Sequence, residues 1–303
     1  MPGSNAPEYG VAGGRIRWAV LGVGGAGRAR AKAIEADPRS ELVAVYRGRH
    51  AAQFRVAQLA SLEDAIAAAD AVAICSPTPV HVAQVEAALA AGRHVIVEFP
   101  LAEEPEDARR LLAMAHEAGR VLHVEHIELL GGAAAVLRKQ INRAGIKAVS
   151  CAFTADGPGD LAGAELALRN VARLHRVVDA VGPFARVDAV ESGASWLRAE
   201  LRTTTGAPVA LSFRVGPGLP RETRLIIDDG HVWEQLNRSL TRDGEAFDLP
   251  EQPGLFDLDQ RIAVARILDG EDGYMSEARI LHVLTMADQL RDGELGHLPF
   301  LLE

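Results

Sequence analysis

The chain has 303 residues, 48% of them apolar and 24% charged, with 29 Gly and 15 Pro; this length bounds it to two domains or one large one, and the composition excludes a disordered, collagen-like or coiled-coil protein. Acidic residues outnumber basic ones by 41 to 32, and the net charge of -9 excludes a general grip on nucleic acid or on an anionic membrane. Lysine occurs only at positions 32, 139 and 147, so almost every cation is an arginine and few lysines are available for catalysis.

Residues 1–14 are rich in Pro, Gly, Ala and Ser and lack an apolar signal core, which predicts a flexible tail. No run of about 18 apolar residues, the length needed to span a bilayer, occurs in the chain. Two cysteines, Cys75 and Cys151, are too few for a disulfide framework or a cysteine-built zinc site and fit a reducing cytoplasm. From Arg15 onward, short apolar runs alternate with alanine-rich helical stretches, the rhythm of strands buried on both faces and their crossover helices. Strands are predicted at 15–21, 41–46, 71–75, 94–98 and 121–127, with helices at 26–37, from Ser61 through Ala69, 78–91 and 104–118. Ser61 with an acid three residues on reads as a helix cap. Beyond about residue 130 the rhythm changes. Helices are predicted at 132–144 and 166–181, followed by strands at 187–192, 196–203, 209–215, 223–228 and 231–235 separated by Gly, Pro and Asp turns, and by two closing helices at 257–268 and 276–291. A further strand-like run covers 148–154. The fold class is therefore α/β: a doubly wound parallel Rossmann sheet over 15–130, then an α+β domain over 131–303 with a largely antiparallel open sheet forming one wall of a substrate cleft.

Gly22, Gly24 and Gly27 form Gly-x-Gly-x-x-Gly after the first strand and at the opening of its helix, with Gly25 inside the turn; glycines there allow a tight turn and close approach of a pyrophosphate to helix N–H groups. At the end of the second strand, where an NAD site places an acid on the ribose, the chain reads Val45-Tyr46-Arg47-Gly48-Arg49. Arg47, with Arg49, can instead hold a 2′-phosphate, which favours NADPH and leaves NADH as a weaker cofactor; the alternative is a solvated charged loop. Cys75, Ser76 and His81 follow the next strand, at the carboxyl edge where open α/β sheets bind ligands, and read as cofactor contacts. Ser76 or Thr78 can equally cap the following helix. His123, Glu125, His126 and Glu128 fall on alternating sides of a predicted strand, so no face collects all four and no metal is expected. Arg169, Arg173 and Arg176 form a basic stripe on one helical face.

The segment Gly92-Arg93-His94-Val95-Ile96-Val97-Glu98-Phe99-Pro100 resembles the glucose-fructose oxidoreductase and inositol dehydrogenase superfamily, whose members usually carry Glu-Lys-Pro here. Phe99 replaces that lysine and cannot move a proton. Within the superfamily the chain is similar to the biliverdin reductases, which have Val-Glu-Tyr-Pro at this point. Further agreement lies in the run from Gly119 to Leu130, in Ser61-Leu62-Glu63-Asp64-Ala65, in Phe153-Thr154-Ala155, and in Gly216-Pro217-Gly218-Leu219 with Arg221. The resemblance implies NADPH-dependent hydride transfer to the central methine carbon of biliverdin and protonation of a pyrrole nitrogen, giving bilirubin. It implies that Glu98, Phe99, Glu125 and Glu128 surround the nicotinamide and substrate. It also implies that Arg173, with Arg169 and Arg221 as further candidates, binds the bilin propionates. The partner is then a small-molecule bilin, and the chain a monomer or homodimer. Two alternatives stand beside this reading: an NADP-dependent sugar, polyol or small-carbonyl oxidoreductase, and a catalytically silent NADP-binding sensor.

Overall fold

In the computed structural model, residues 14–250 and 254–298 are described; the expected tail 1–14 lies, Gly14 apart, outside the described residues. Each of the five N-terminal apolar runs becomes a parallel strand. The elements are β1 (Ile16–Leu21), α1 (Gly25–Ala36), β2 (Ser40–Tyr46), β3 (Ala57–Leu59), α2 (Leu62–Ala67), β4 (Ala71–Ile74), α3 (His81–Ala90), β5 (His94–Val97), α4 (Pro105–Glu117) and β6 (Leu122–Val124). The short edge strand β3 was not predicted, because three residues, two of them exposed, carry no apolar period. Strand order is β3-β2-β1-β4-β5-β6, which puts the topological switch between β1 and β4, the position at which such sheets bind ligands outside their carboxyl ends. Ser61 accepts the Asp64 N–H at 3.0 Å and caps α2 as expected.

After a short α5 (Gly132–Gln140), the chain forms β7 (Ala148–Ala155), α6 (Leu166–Arg169), α7 (Val171–Val181), β8 (Phe184–Gly193), β9 (Trp196–Thr203), β10 (Pro208–Val215), β11 (Glu222–Asp228), β12 (Val232–Leu236), β13 (Ser239–Arg242) and β14 (Glu245–Ala246). It closes with α8 (Leu255–Leu268), α9 (Glu277–Asp292) and β15 (Gly296–His297). The nine-stranded sheet is mostly antiparallel, but β7 and β10 pair in parallel at its centre. The helix expected over 166–181 is broken at Asn170, which takes a non-helical ψ of 19° and turns its side-chain amide back onto the Leu166 carbonyl at 2.8 Å.

The expected division at residue 130 into two contiguous domains needs correction. One unit comprises 1–127 with 253–276, the other 128–252 with 277–303. The physical reason is the apolar stripe of α8: Ala263, Val264 and Ile267 are fully buried in one core with Trp18, Val20, Ala31, Ile34 and Ile96 of the Rossmann unit. Burial of such side chains stabilises by roughly 1.5–3 kcal/mol each, enough to bring a late segment back to the N-terminal sheet.

Candidate active site

The turn after β1 shows why glycine stands at 22 and 27. A Cβ on Gly22, whose φ is +85°, would lie 2.7 Å from the Ser76 backbone, and one on Gly27 would lie 2.2 Å from the Gly22 carbonyl oxygen. These two glycines close the turn onto the end of β4. Gly24 and Gly25 differ: a Cβ on either would meet nothing within 4 Å. No side chain caps α1, which begins at Gly25. An uncapped helix N-terminus behind two bare glycines fits the pyrophosphate of a dinucleotide, whose charge the helix N–H groups would bind.

The rim of this turn is basic. The Arg47 carbonyl accepts the Val23 N–H at 2.9 Å, which ties the loop after β2 to the glycine turn. Arg47 is exposed and its guanidinium lies 5.0 Å from the Tyr46 ring. Desolvation and then the Arg28 and Arg49 charges lower the pKa of His50, so this short stretch gathers several cations. Such a patch fits a 2′-phosphate better than a free ribose hydroxyl pair. Arg28, on α1, went unnoticed in the sequence because the motif directs attention to the loop after β2.

Past β4, the roles expected of Ser76 and His81 change. Ser76 Oγ donates to the Gln84 side chain and caps no helix. His81 is buried, with its ring nitrogens 2.8 Å from the Ser76 carbonyl oxygen and 2.9 Å from that of Pro100. It ties the strand-end loops of β4 and β5 together, and neither nitrogen is left for a cofactor. Cys75 donates to Glu98 Oε1 at 3.7 Å, while burial and the Glu98 charge push its thiol pKa well up. It packs behind the glycine turn as an inert neighbour of the acid site.

The expected strand over 121–127 stops at Val124, so the alternation of side chains ends before Glu125. Glu125 is fully buried and accepts the Ile127 N–H at 2.6 Å. Burial raises the pKa of Glu98, partly offset by Arg30, and burial together with the Glu98 charge raises that of Glu125 well above the usual carboxylate range. Glu125 Oε2 is buried with no donor of its own. Protonation of one of the two carboxyls would relieve their mutual repulsion. Beside the pair, the Phe99 ring stacks on His126 at 5.3 Å between centroids and 16° between planes.

The same unit holds a buried polar network that sequence reasoning missed. Arg30 on α1 and Asp259 on α8 are both fully buried and pair at 2.5 Å. Asp259 is also held by His123 at 2.8 Å and by the Tyr274 hydroxyl at 2.7 Å, which itself accepts the His126 N–H at 2.8 Å. Burial alone would raise the pKa of Asp259, but Arg30 and His123 hold it well below the usual range. The available signal was Arg30 itself, a charge on the face of α1 that buries Gly27, Ala31 and Ile34; a buried arginine demands a counter-charge.

In the other unit the expected arginine stripe separates into three environments. Arg169, at the end of α6, is exposed and pairs with Glu165 at 3.3 Å. Arg176 is buried, donating to the Glu128 carbonyl at 2.8 Å and to the Gln235 side chain, which makes it structural. Arg173 is 6% exposed and stacks over the Phe153 ring at 4.3 Å, with Arg221 over the same ring at 5.9 Å. Its charge is met by Glu128 at 3.5 Å, and its Nε has no partner. Burial, with Arg221 adding repulsion, lowers the pKa of Arg173 although Glu128 opposes the shift. Two cations on one ring against one carboxylate leave a place for a further anion. Glu128 thus belongs with Arg173.

A family model described as GFO_IDH_MocA, the oxidoreductase family with an NAD-binding Rossmann fold, matches residues 16–126. Biliverdin reductase A of Mus musculus is 28% identical over 288 residues, covering 90% of this chain and 94% of the relative. UDP-N-acetylglucosamine 3-dehydrogenase of Acidithiobacillus ferrooxidans is 35% identical over 130 residues, 41% of each chain. Among solved structures, biliverdin reductase from Synechocystis sp. in complex with biliverdin and NADP+ shares the fold at a TM-score of 0.81 and 24% identity, over 92% of this chain and 98% of the other. Residues 16–126 thus match the NAD-binding Rossmann domain of the GFO_IDH_MocA oxidoreductases, and the chain is an NAD(P)-dependent oxidoreductase.

Proposed function

We propose that the chain reduces a linear tetrapyrrole of the biliverdin type with NADPH, placing a hydride on the central methine carbon and a proton on a pyrrole nitrogen. The observation that carries this reading is the flat Phe99 ring, stacked on His126 and next in sequence to Glu98, with burial raising the pKa of both Glu98 and Glu125. Phe99 stands where sugar-oxidising members of the resembled superfamily carry a lysine. Oxidising an alcohol needs a group that accepts the hydroxyl proton near neutral pH; a buried carboxyl that still holds its proton is an acid and suits reduction. NADPH, when bound, supplies the hydride. The uncapped start of α1 takes the pyrophosphate, and Arg47 with Arg28 and Arg49 selects the 2′-phosphate. Phe99 offers a stacking surface for a conjugated ring system. Arg173 and Arg221 bind propionate groups, Arg173 exchanging part of its bond to Glu128 for the ligand carboxylate.

The likeness to a UDP-N-acetylglucosamine 3-dehydrogenase supports a second reading, oxidation of a nucleotide sugar, and one pair of assays separates the two. Biliverdin with NADPH is expected to lose its long-wavelength absorbance as the bilirubin band grows, while UDP-N-acetylglucosamine with NADP+ yields no NADPH. The reverse outcome overturns the assignment.

A further inference from the structure

β6 is the edge strand of the Rossmann sheet. Beyond its end the Glu125 N–H still donates to the Val97 carbonyl of β5, at 2.8 Å. The next N–H, that of His126, is turned to the other side, where no strand of the described residues follows to accept it. The Tyr274 hydroxyl takes that place and accepts the His126 N–H at 2.8 Å. Its own proton is committed to Asp259 Oδ1 at 2.7 Å, so the phenol serves the backbone as an acceptor.

Tyr274 is itself fixed from several sides. Its ring meets the His123 ring edge-on at 5.6 Å, and Asp259 is anchored by Arg30 at 2.5 Å and by His123 at 2.8 Å. Arg266 of α8 donates to the Leu122 carbonyl of β6 at 3.3 Å, and a Cβ on Gly273, the residue before Tyr274, would lie 3.2 Å from the Arg266 Cδ. The segment that follows α8 is therefore laid along β6. His126 is 2% exposed, and its imidazole stacks on the half-buried Phe99 ring at 5.3 Å and 16°. In a close-packed surrounding a side chain has little rotamer freedom, so the direction of this imidazole follows its backbone.

We propose that Tyr274 is a positioning residue for the stacking surface: by holding the His126 N–H at the edge of β6 it fixes the His126 imidazole and, through the stack, the plane that Phe99 offers to a conjugated ligand. The return of residues 253–276 to the Rossmann unit thus shapes the substrate site as well as covering α1. The inference rests on the proposed function in that Phe99 is taken as the surface on which the bilin stacks.

The test is proton NMR of the purified full chain carrying isotope-labelled histidine, with the His126 ring resonances assigned by their loss in His126→Gln. In Phe99→Leu these resonances lose the ring-current displacement of the stack. Tyr274→Phe, which deletes only the hydroxyl, is expected to move them toward their Phe99→Leu positions. A Tyr274→Phe chain folded by circular dichroism with unmoved His126 resonances overturns the proposal, since a purely structural tyrosine would change stability and leave the stack in place. In turnover, the same variant is expected to raise the KM for biliverdin about fivefold, with kcat and the KM for NADPH within about twofold of the wild type. An enzyme active on biliverdin whose KM is unaltered although the resonances move also overturns the positioning role. Should Tyr274→Phe not fold, amide hydrogen exchange of the wild type decides: a His126 N–H protected as strongly as that of Glu125 supports the tether, and exchange at the rate of an open loop contradicts it. The spectra need no bilin, so if biliverdin is not turned over, the functional reading fails while the resonances still decide whether Tyr274 sets the ring.

Discussion

Glu98 and Glu125 follow adjacent parallel strands, the Glu125 N–H donating to the Val97 carbonyl at 2.8 Å, and burial raises the pKa of both carboxyls, which favours a proton on the pair. If that proton is the one delivered, kcat is highest at low pH and falls as pH rises through the raised pKa of the pair. Glu98→Gln should lower kcat by about 10²-fold while leaving the KM for NADPH within about twofold, the signature of a lost general acid. A pH profile of unchanged shape in this variant would contradict the role.

The same pair predicts a pH dependence of stability. Both folded pKa values lie above the ordinary 4.5, so the stabilising contribution is complete below that value and is lost as pH rises through the folded ones. Thermal denaturation from about pH 5 to about pH 8 should show the wild-type Tm declining relative to Glu98→Gln/Glu125→Gln. Parallel Tm curves would mean that the two groups ionise freely in the folded chain.

The glycines of the first turn divide into two kinds, and substitution separates them. Gly27→Ala drives a Cβ into the Gly22 carbonyl and should cost about 1–3 kcal/mol of stability in urea unfolding. Gly24→Ala meets no protein atom, so its stability should stay within about 0.5 kcal/mol of the wild type. Its NADPH affinity, read by fluorescence titration, should nevertheless fall about tenfold, because the methyl group occupies the space left for the pyrophosphate. Unchanged affinity in Gly24→Ala would remove the turn from the cofactor site.

Arg47 ties its loop to the glycine turn through its backbone, leaving its side chain free to choose between cofactors. Arg47→Ala is expected to reduce the preference for NADPH over NADH by about tenfold, the worth of one charge-assisted hydrogen bond. The ratio of kcat/KM for the two cofactors measures it, and an unaltered ratio would contradict the assignment.

Arg173→Ala should raise the KM for biliverdin about tenfold with little change in that for NADPH. Arg169→Ala, at an exposed position paired with Glu165, should change neither. Equal losses for bilin and cofactor in the Arg173 variant would point to general damage in place of a propionate clamp.

Much of the Rossmann unit was legible because its signals are local. Strand, glycine turn and helix follow one another within about twenty residues, and each has its own periodicity or steric requirement. The partner of α8 was not legible: an apolar stripe reports that a helix is buried and does not say against which sheet. Asp259 was missed for that reason, and with it the counter-charge of Arg30. The break at Asn170 and the central parallel pairing of β7 with β10 likewise depend on contacts distant in sequence. Glu98, Glu125 and Arg173 were singled out from the sequence, whereas the burial that joins the first two and the Phe153 ring that gathers Arg173 with Arg221 required the fold.

The most direct test of the account is the reduction of biliverdin by the purified chain, measured with NADPH and with NADH at neutral and alkaline pH. The account predicts turnover to bilirubin that is faster with NADPH and declines toward alkaline pH. Tight NADPH binding without any loss of the long-wavelength bilin band would contradict it.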